Sequence, residues 1–334
     1  MIKNATERVR QIIMEYIVVD FEWNQSPYGK GASNKCLPFE IIEIGAVKLD
    51  EDGREIDRFS EVIKPKVYRK MHHITKSLTG ITEKDLSHGT RFPKVLADFM
   101  LWCGKDYMFC TWGNLDLLEL QRNMKFYHLE DLLPGPIKYY NVQKLFRIFY
   151  DDGNSAMSLE HAIDYLKMDK KKDFHRAICD AEYTAAIFAG MDRKEVERWY
   201  TVDYYQNPKT RREEIKLIYD TYAKYVSKEF ETKEAAMADR EARTTRCYKC
   251  GKTAFKRIRW FSGKNRSYYC LAECPEHGYI RGKIRLKKTD GDKVFVVKTL
   301  RIIDREGAER IEAMKEEVRQ KRQEKRHREG VHEG

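Results

Sequence analysis

Apolar residues recur in two rhythms along the first two hundred positions. Ile17, Val18 and Val19 form a β-branched run that predicts a buried strand. Residues 40–49 (EIIEIGAVKL) and 58–64 (RFSEVIK) predict two more, with Asp52-Gly53 between them as a hairpin turn. Pro65 ends the third strand. The spacing then changes to a helical one: Phe92, Val95, Leu96, Phe99 and Met100 lie on one helix face. Short helices precede it around LTGITEKDL, where residues 82–85 suit a cap and first turn. Residues 107–112 and 137–142 predict a fourth and a fifth strand, and residues 115–126, 158–167 and 176–190 predict helices, with Ser158 as a cap. Consecutive strands, followed by alternating strand and helix, predict a mixed sheet with helices on its faces over residues 1–191.

The later part reads differently. Residues 192–245 are rich in Glu, Lys, Arg and Ala, and Ile215, Ile218, Tyr222 and Tyr225 fall at helical spacing, so a helical connector is expected there. Residues 246–300 predict a small β domain with strands at 255–261, 266–271 and 279–286. From Asp304 the chain is a charged mixture, expected to be helical over 308–320 and frayed over 321–334.

Charge sharpens this division. The chain carries a formal net charge of +11. Residues 246–300 hold 15 Lys/Arg against 4 Asp/Glu, the tail 301–334 holds 10 against 9, and residues 1–245 net −1. The excess positive charge therefore belongs to the small β domain, and an acidic partner, nucleic acid first, is expected. No apolar run approaches the roughly 20 residues of a membrane span. Residues 1–15 have the mixed charge of a helix start, not of a signal peptide. Cys36, Cys103, Cys110 and Cys179 are scattered, whereas Cys247, Cys250, Cys270 and Cys274 cluster. That clustering suits a metal in a reducing cytoplasm better than a disulfide framework.

The candidate chemistry begins where the first strand ends. Asp20 and Glu22 alternate along it, so both side chains point the same way. Like charges on one face repel unless a cation lies between them, and hard oxygen ligands suit Mg²⁺ or Mn²⁺. Asp116 follows the fourth strand in Thr111-Trp112-Gly113-Asn114-Leu115-Asp116. His175 and Asp180 bracket the start of the last helix, in Phe174-His175-Arg176-Ala177-Ile178-Cys179-Asp180-Ala181. Small residues follow at Ala181, Thr184, Ala185 and Ala186, which let that helix approach the sheet closely.

Asp20-x-Glu22, Asp116 after TWGN, and His175-x4-Asp180-Ala181 together resemble the three exonuclease motifs of the DEDDh 3′→5′ exonucleases. That superfamily includes RNase T, oligoribonuclease and polymerase proofreading subunits. YIVVDFEW, FEIIEIGAVKL, FSEVIKP, LTGIT and TWGNLD are most similar to the branch holding KapD-like and histone-mRNA/small-RNA exonucleases. The resemblance spans residues 14–190 and implies an RNase H-like fold. It also implies that Asp20, Glu22, Asp116 and Asp180 hold two Mg²⁺ or Mn²⁺, with Asp20 bridging, and that His175 is the general base. Hydrolysis would release nucleoside 5′-monophosphates from single-stranded nucleic acid, RNA being favoured over DNA. Trp23 and the loop 24–38 are candidates to touch the terminal nucleotide. The same chemistry on single-stranded DNA is the nearest alternative, and a non-catalytic nucleic-acid adaptor is another, although none of the five residues is missing.

Cys247-Tyr248-Lys249-Cys250-Gly251 and Cys274-Pro275-Glu276-His277-Gly278 are two matching turns, each with two residues between its ligands and a Gly after the second. Paired in this way they suit a structural zinc site in a zinc ribbon. Cys270 competes with His277 for the fourth position; His277 completes the second turn and Cys270 does not. The ribbon interleaves cations with aromatics, and Arg257, Arg259, Trp260, Arg266 and Tyr268 are the expected nucleic-acid contacts.

Overall fold

The computed structural model describes residues 14–150, 157–170, 174–263, 267–289 and 291–331, with side chains described to residue 324. The chain forms two compact units, which divide between Tyr205 and Gln206.

The first unit is built on strand β1 (Glu15–Gln25). Its alternation supplies two cores at once: Ile17, Val19 and Phe21 enter one hydrophobic cluster, Tyr16 and Val18 the other. β2 (Phe39–Leu49) and β3 (Glu55–Lys64) follow as antiparallel neighbours of the chain before them. β4 (Thr90–Arg91) pairs parallel with β3, β5 (Tyr107–Thr111) parallel with β1, and β6 (Ile137–Asn141) parallel with β5. β7 (Thr201–Asp203) closes the far edge against β6, giving a seven-stranded mixed sheet in the order β4-β3-β2-β1-β5-β6-β7.

Helices cover both faces. α1 (His73–Thr79) and α2 (Glu83–His88) lead from β3 to β4, and α2 carries the expected cap as a full capping box between Thr82 and Asp85. α3 (Phe92–Cys103) and α4 (Leu115–Phe126) bury Phe92, Phe99, Leu117, Leu120 and Met124 against the Ile17 face. α5 (Val142–Phe149), α6 (Leu159–Tyr165, capped by Ser158) and α7 (Ala177–Ala189) bury Leu145, Phe146, Ile163 and Phe188 against the Val18 face. Each such fully buried side chain stabilises the fold by roughly 1.5–3 kcal/mol. A short α8 (Arg193–Val196) precedes β7. The mixed sheet with helices on both faces agrees with the RNase H-like expectation.

The expected helical connector is replaced by β structure. Residues 201–203 are β7 of the first unit, and β8 (Ile215–Ile218) and β9 (Ala223–Phe230) form an antiparallel hairpin in the second. The helical spacing of Ile215, Ile218, Tyr222 and Tyr225 arises because a turn intervenes, closed by the Tyr219 N–H donating to the Tyr222 carbonyl at 2.8 Å. β-Branched and aromatic residues on either side of it favour strands. The α-helices described between residues 192 and 245 are the short α8, α9 (Lys233–Ala238) and α10 (Arg240–Arg243).

β10 (Phe255–Ser262), β11 (Ser267–Cys274), β12 (Gly278–Lys288) and β13 (Val294–Ile302) continue the sheet in the order β10-β11-β12-β13-β9-β8. The ribbon is thus part of a six-stranded antiparallel sheet that begins well before residue 246. The tail, expected to fray from residue 321, continues as one helix, α11 (Arg305–Val331). Ala308, Ile311, Met314 and Val318 pack against Phe261 and Leu271, and Glu306–Arg310 and Glu317–Lys321 pairs line its exposed side.

Candidate active site

Asp20 and Glu22 share the β1 face of Tyr16 and Val18, which is the face α7 covers. The pairing β1–β2 sets Asp20 opposite Gly45 and Glu22 opposite Glu43, with an irregularity at Glu22/Trp23. Gly45 is where α7 meets the sheet: a β-carbon there would lie 2.0 Å from the Ile178 nitrogen. Glu43, fully buried, accepts from Arg176 Nε at 3.1 Å and from the Ala177 N–H at 3.0 Å. The start of α7 is therefore pinned to β2, which fixes the positions of both His175 and Asp180.

His175 is exposed and has a left-handed backbone, φ 65°, at a cost on the order of 1 kcal/mol. Its N–H donates to Asp180 Oδ2 at 3.2 Å. Ligand atoms of Glu22, His175 and Asp180 all lie within 4.8 Å of one another. Asp116, 5% exposed, enters from the first turn of α4 beyond the Trp112–Asn114 bend. Asp20, Glu22, Trp23, Asn114, Asp116 and Asp180 line one pocket of about 330 Å³. Asp20 and Asp116 join this pocket without entering the tighter Glu22–His175–Asp180 group.

The acids raise one another's proton affinity. Burial, then Asp116 and Glu22, push Asp20 well above the usual carboxylate range. Burial, then Asp180 and Glu43, raise Glu22 to about 8. Burial raises Asp116 to about 7 and Asp180 to about 6, the latter opposed by the His175 N–H. Asp180 Oδ1 is buried without a hydrogen-bond partner. Four crowded carboxylates and an orphaned oxygen fit divalent cations with oxygen ligands, which would relieve the repulsion that otherwise keeps protons bound.

Glu43, Arg176 and Gly45 were not singled out in the sequence, although an acid and a glycine inside the apolar run EIIEIGAV are a visible signal. Trp23 lines the pocket and also packs near Phe39, ring centroids 6.1 Å apart.

In the second unit, ligand atoms of Cys247, Cys250, Cys274 and His277 lie within 4.8 Å of one another. Cys274 Sγ is 3.6 Å from Cys250 Sγ and 3.8 Å from His277 Nδ1. Burial opposes ionisation of Cys274, yet hydrogen bonds from the Glu276 N–H and from His277 bring it down to about 6. Three converging thiols and an imidazole fit tetrahedral zinc. Cys270 is not in the cluster; it is fully buried beside Gly282, and burial raises its thiol to about 12.

The expected nucleic-acid contacts are divided by the structure. Arg259 is exposed, whereas Arg257 Nε is held by Glu273 at 2.6 Å. Trp260 and Tyr268 are half-buried and pack on the cluster of Tyr225, Ile284 and Val296, so both rings serve as core of the sheet. The Trp260 indole N–H donates to the Arg243 carbonyl at 3.0 Å. Arg266 lies outside the described residues.

The profile of the exonuclease family, RNase T type, matches residues 32–188. The chain is 28% identical over 185 residues to the probable 3′-5′ exonuclease KapD of Bacillus subtilis strain 168, covering 54% of this chain and 87% of KapD. It is 26% identical over 163 residues to 3′-5′ exoribonuclease 1 of Rattus norvegicus, covering 46% of each. Thus the chain spans about half the length of that second relative. Among solved structures, the nuclease domain of 3′hExo, a DEDDh family member bound to rAMP, covers 57% of this chain and 96% of its own, with a TM-score of 0.49 and 23% identity. The motif order, the family profile and the two curated relatives agree on the first unit: its residues 32–188 are similar to the exonuclease family of RNase T type.

Proposed function

We propose that the protein removes nucleotides from the 3′ end of single-stranded nucleic acid, with RNA favoured over DNA, and releases nucleoside 5′-monophosphates. The observation that carries this reading is the convergence of Asp20, Glu22, Asp116 and Asp180 on one pocket, with His175 at its edge. Preference for RNA is supported by the relatives named as exoribonucleases.

In this reading Asp20, Glu22, Asp116 and Asp180 hold two Mg²⁺ or Mn²⁺. When bound, the ions supply activation of a water and charge stabilisation at the leaving 3′ oxygen. His175 takes the proton of the attacking water; its exposed ring and its tether to Asp180 suit that role. Trp23 offers an aromatic face to the terminal base. Arg259 is the residue of the expected ribbon set that is best placed to meet phosphate; Arg257 and Tyr268 are held by Glu273 and Lys233 respectively. Cys247, Cys250, Cys274 and His277 bind one structural zinc. Cysteines gathered at a metal cluster, as Cys247, Cys250 and Cys274 are, suit a reducing, cytoplasmic setting. Among the described residues no helix is long and apolar enough to cross a membrane.

The test is parallel digestion of end-labelled single-stranded RNA and DNA with Mg²⁺, with Mn²⁺ and with EDTA. Shortening from the 3′ end in either metal, abolished by EDTA and faster on RNA, is the expected result. Faster DNA digestion would move the reading to repair or proofreading. No digestion of either would favour a binding adaptor.

A further inference from the structure

The second unit holds a groove lined by six cations, of which Arg211 and Lys216 are paired with acids and the other four have no acid partner among the described residues. Its volume is about 1060 Å³, and Arg240, Arg243, Arg246 and Lys256 line it with the hydroxyl residues Thr244 and Thr253. Asp239 and Glu241 line it too, but Asp239 pairs with Arg211 at 2.6 Å and Glu241 with Lys216 at 2.9 Å. Among the described residues no carboxylate pairs with the four cations, and all four are exposed.

The backbone that presents these arginines is held in place. Lys298, 3% exposed on β13, donates its Nζ to the carbonyls of Glu241 at 2.6 Å and Thr244 at 3.1 Å. Trp260 ties down the Arg243 carbonyl, and Asp239 caps α10 by accepting from the Ala242 N–H at 2.9 Å. Arg246 is bridged to Thr253, beside the first cysteine turn. Burying an ammonium is costly, and here it holds the segment that presents the arginines. A free loop would instead lose conformational entropy each time it gripped a ligand.

We infer that this groove is a binding track for the phosphodiester backbone of single-stranded nucleic acid, a second site carried by the second unit. It is far larger than one phosphate requires. Its guanidinium groups suit bidentate contact with phosphate oxygens, and its hydroxyls can donate to the same oxygens. The choice of ligand rests on the exonuclease reading of the first unit; the groove's geometry does not. It also replaces Trp260 and Arg257 as the principal contacts, since both are engaged within the sheet.

The test measures binding of a long single-stranded RNA in EDTA at several salt concentrations. Affinity of the native chain should fall steeply with salt. Arg243→Ala combined with Arg246→Ala should flatten the log–log slope by roughly 1.4, at about 0.7 per lost contact for single strands. Arg243→Lys with Arg246→Lys should keep most of the native slope. Lys287→Ala with Lys288→Ala removes the same charge from exposed positions of β12 and should change the slope much less. Should the alanine pair fail to fold, Arg240→Gln with Lys256→Gln carries the same expectation. An unchanged slope in the groove variants, or an equal change in the β12 control, overturns the proposal. Cleavage of a dinucleotide by the native chain is a separate readout. Its failure would sink the exonuclease reading and leave the slope as it was.

Discussion

The Ile178 nitrogen on α7 occupies the space that a side chain on Gly45 of β2 would need, 2.0 Å from the β-carbon position. Helix and strand touch backbone to backbone at that point. Asp20 is paired across from Gly45 on β1, and Asp180 lies half a turn or so beyond Ile178, so the contact helps bring two acids from opposite parts of the chain together.

Gly45→Ala should therefore push α7 away from the sheet. The expected cost is at least the roughly 1–3 kcal/mol of ordinary overpacking, because backbone atoms cannot yield as a side chain does. Thermal melting would read this loss. Turnover should fall by more than the folded fraction does; a variant as stable and active as the native chain would exclude the close approach.

Glu43 offers a gentler test of the same helix start. Glu43→Gln keeps the shape and removes the charge that holds Arg176. Breaking a buried pair commonly costs about 3–5 kcal/mol, but the Arg176 side chain is 42% exposed and can turn to water, so a loss of about 1–2 kcal/mol is expected. As a positioning residue, Glu43 should affect kcat more than KM. The pH profile should keep its shape. An effect on stability alone would make it structural only.

The crowded acids predict an inverted metal-free pH dependence. Glu22, at about 8 in the fold, lies far above its ordinary value, and Asp116, at about 7, does too. Raised carboxyl groups contribute stability that is complete at low pH and is lost as pH climbs toward the folded values. In EDTA the melting temperature should thus decline from mildly acidic pH to about 8. Mg²⁺ should raise it, and more so at the alkaline end. A flat metal-free profile would contradict the crowding.

Asp20→Asn extends that logic. It should abolish digestion and lose most of the Mg²⁺-dependent rise in melting temperature. Without metal the variant should melt at or above the native temperature, since one source of repulsion is gone. Calorimetry with and without EDTA separates this outcome from simple destabilisation.

For the second unit, Cys274→Ser should eliminate bound zinc and loosen the sheet near β11 and β12, while the first unit retains its melting transition. Cys270→Ser should keep full zinc occupancy. Elemental analysis of the two variants decides between His277 and Cys270 as the fourth ligand.

Much of this architecture was legible in the chain. α4 falls on the predicted residues, and Thr82 and Ser158 cap the helices they were expected to cap. The five motif residues sit where the alternation and helix starts put them. What was not legible depends on partners. A turn between two short strands imitated a helix at residues 215–225, and charge density pointed to Trp260 and Arg257 because a sequence does not distinguish a paired arginine from a free one. The role of Glu43 is not legible in the sequence, because its partner, Arg176, is remote along the chain.

The left-handed backbone at His175 has a consequence for how this chain can change. Only a few residue types tolerate that conformation cheaply: glycine, asparagine, aspartate and histidine itself. Chemistry admits one of these as a proton acceptor near neutral pH. Two unrelated filters therefore act on one codon. A lineage that abandoned hydrolysis would have Asn or Asp as its easy exits there, keeping the domain's shape while losing the imidazole. Descent with a silent active site would then be inherited as a folded scaffold, not as a ruin.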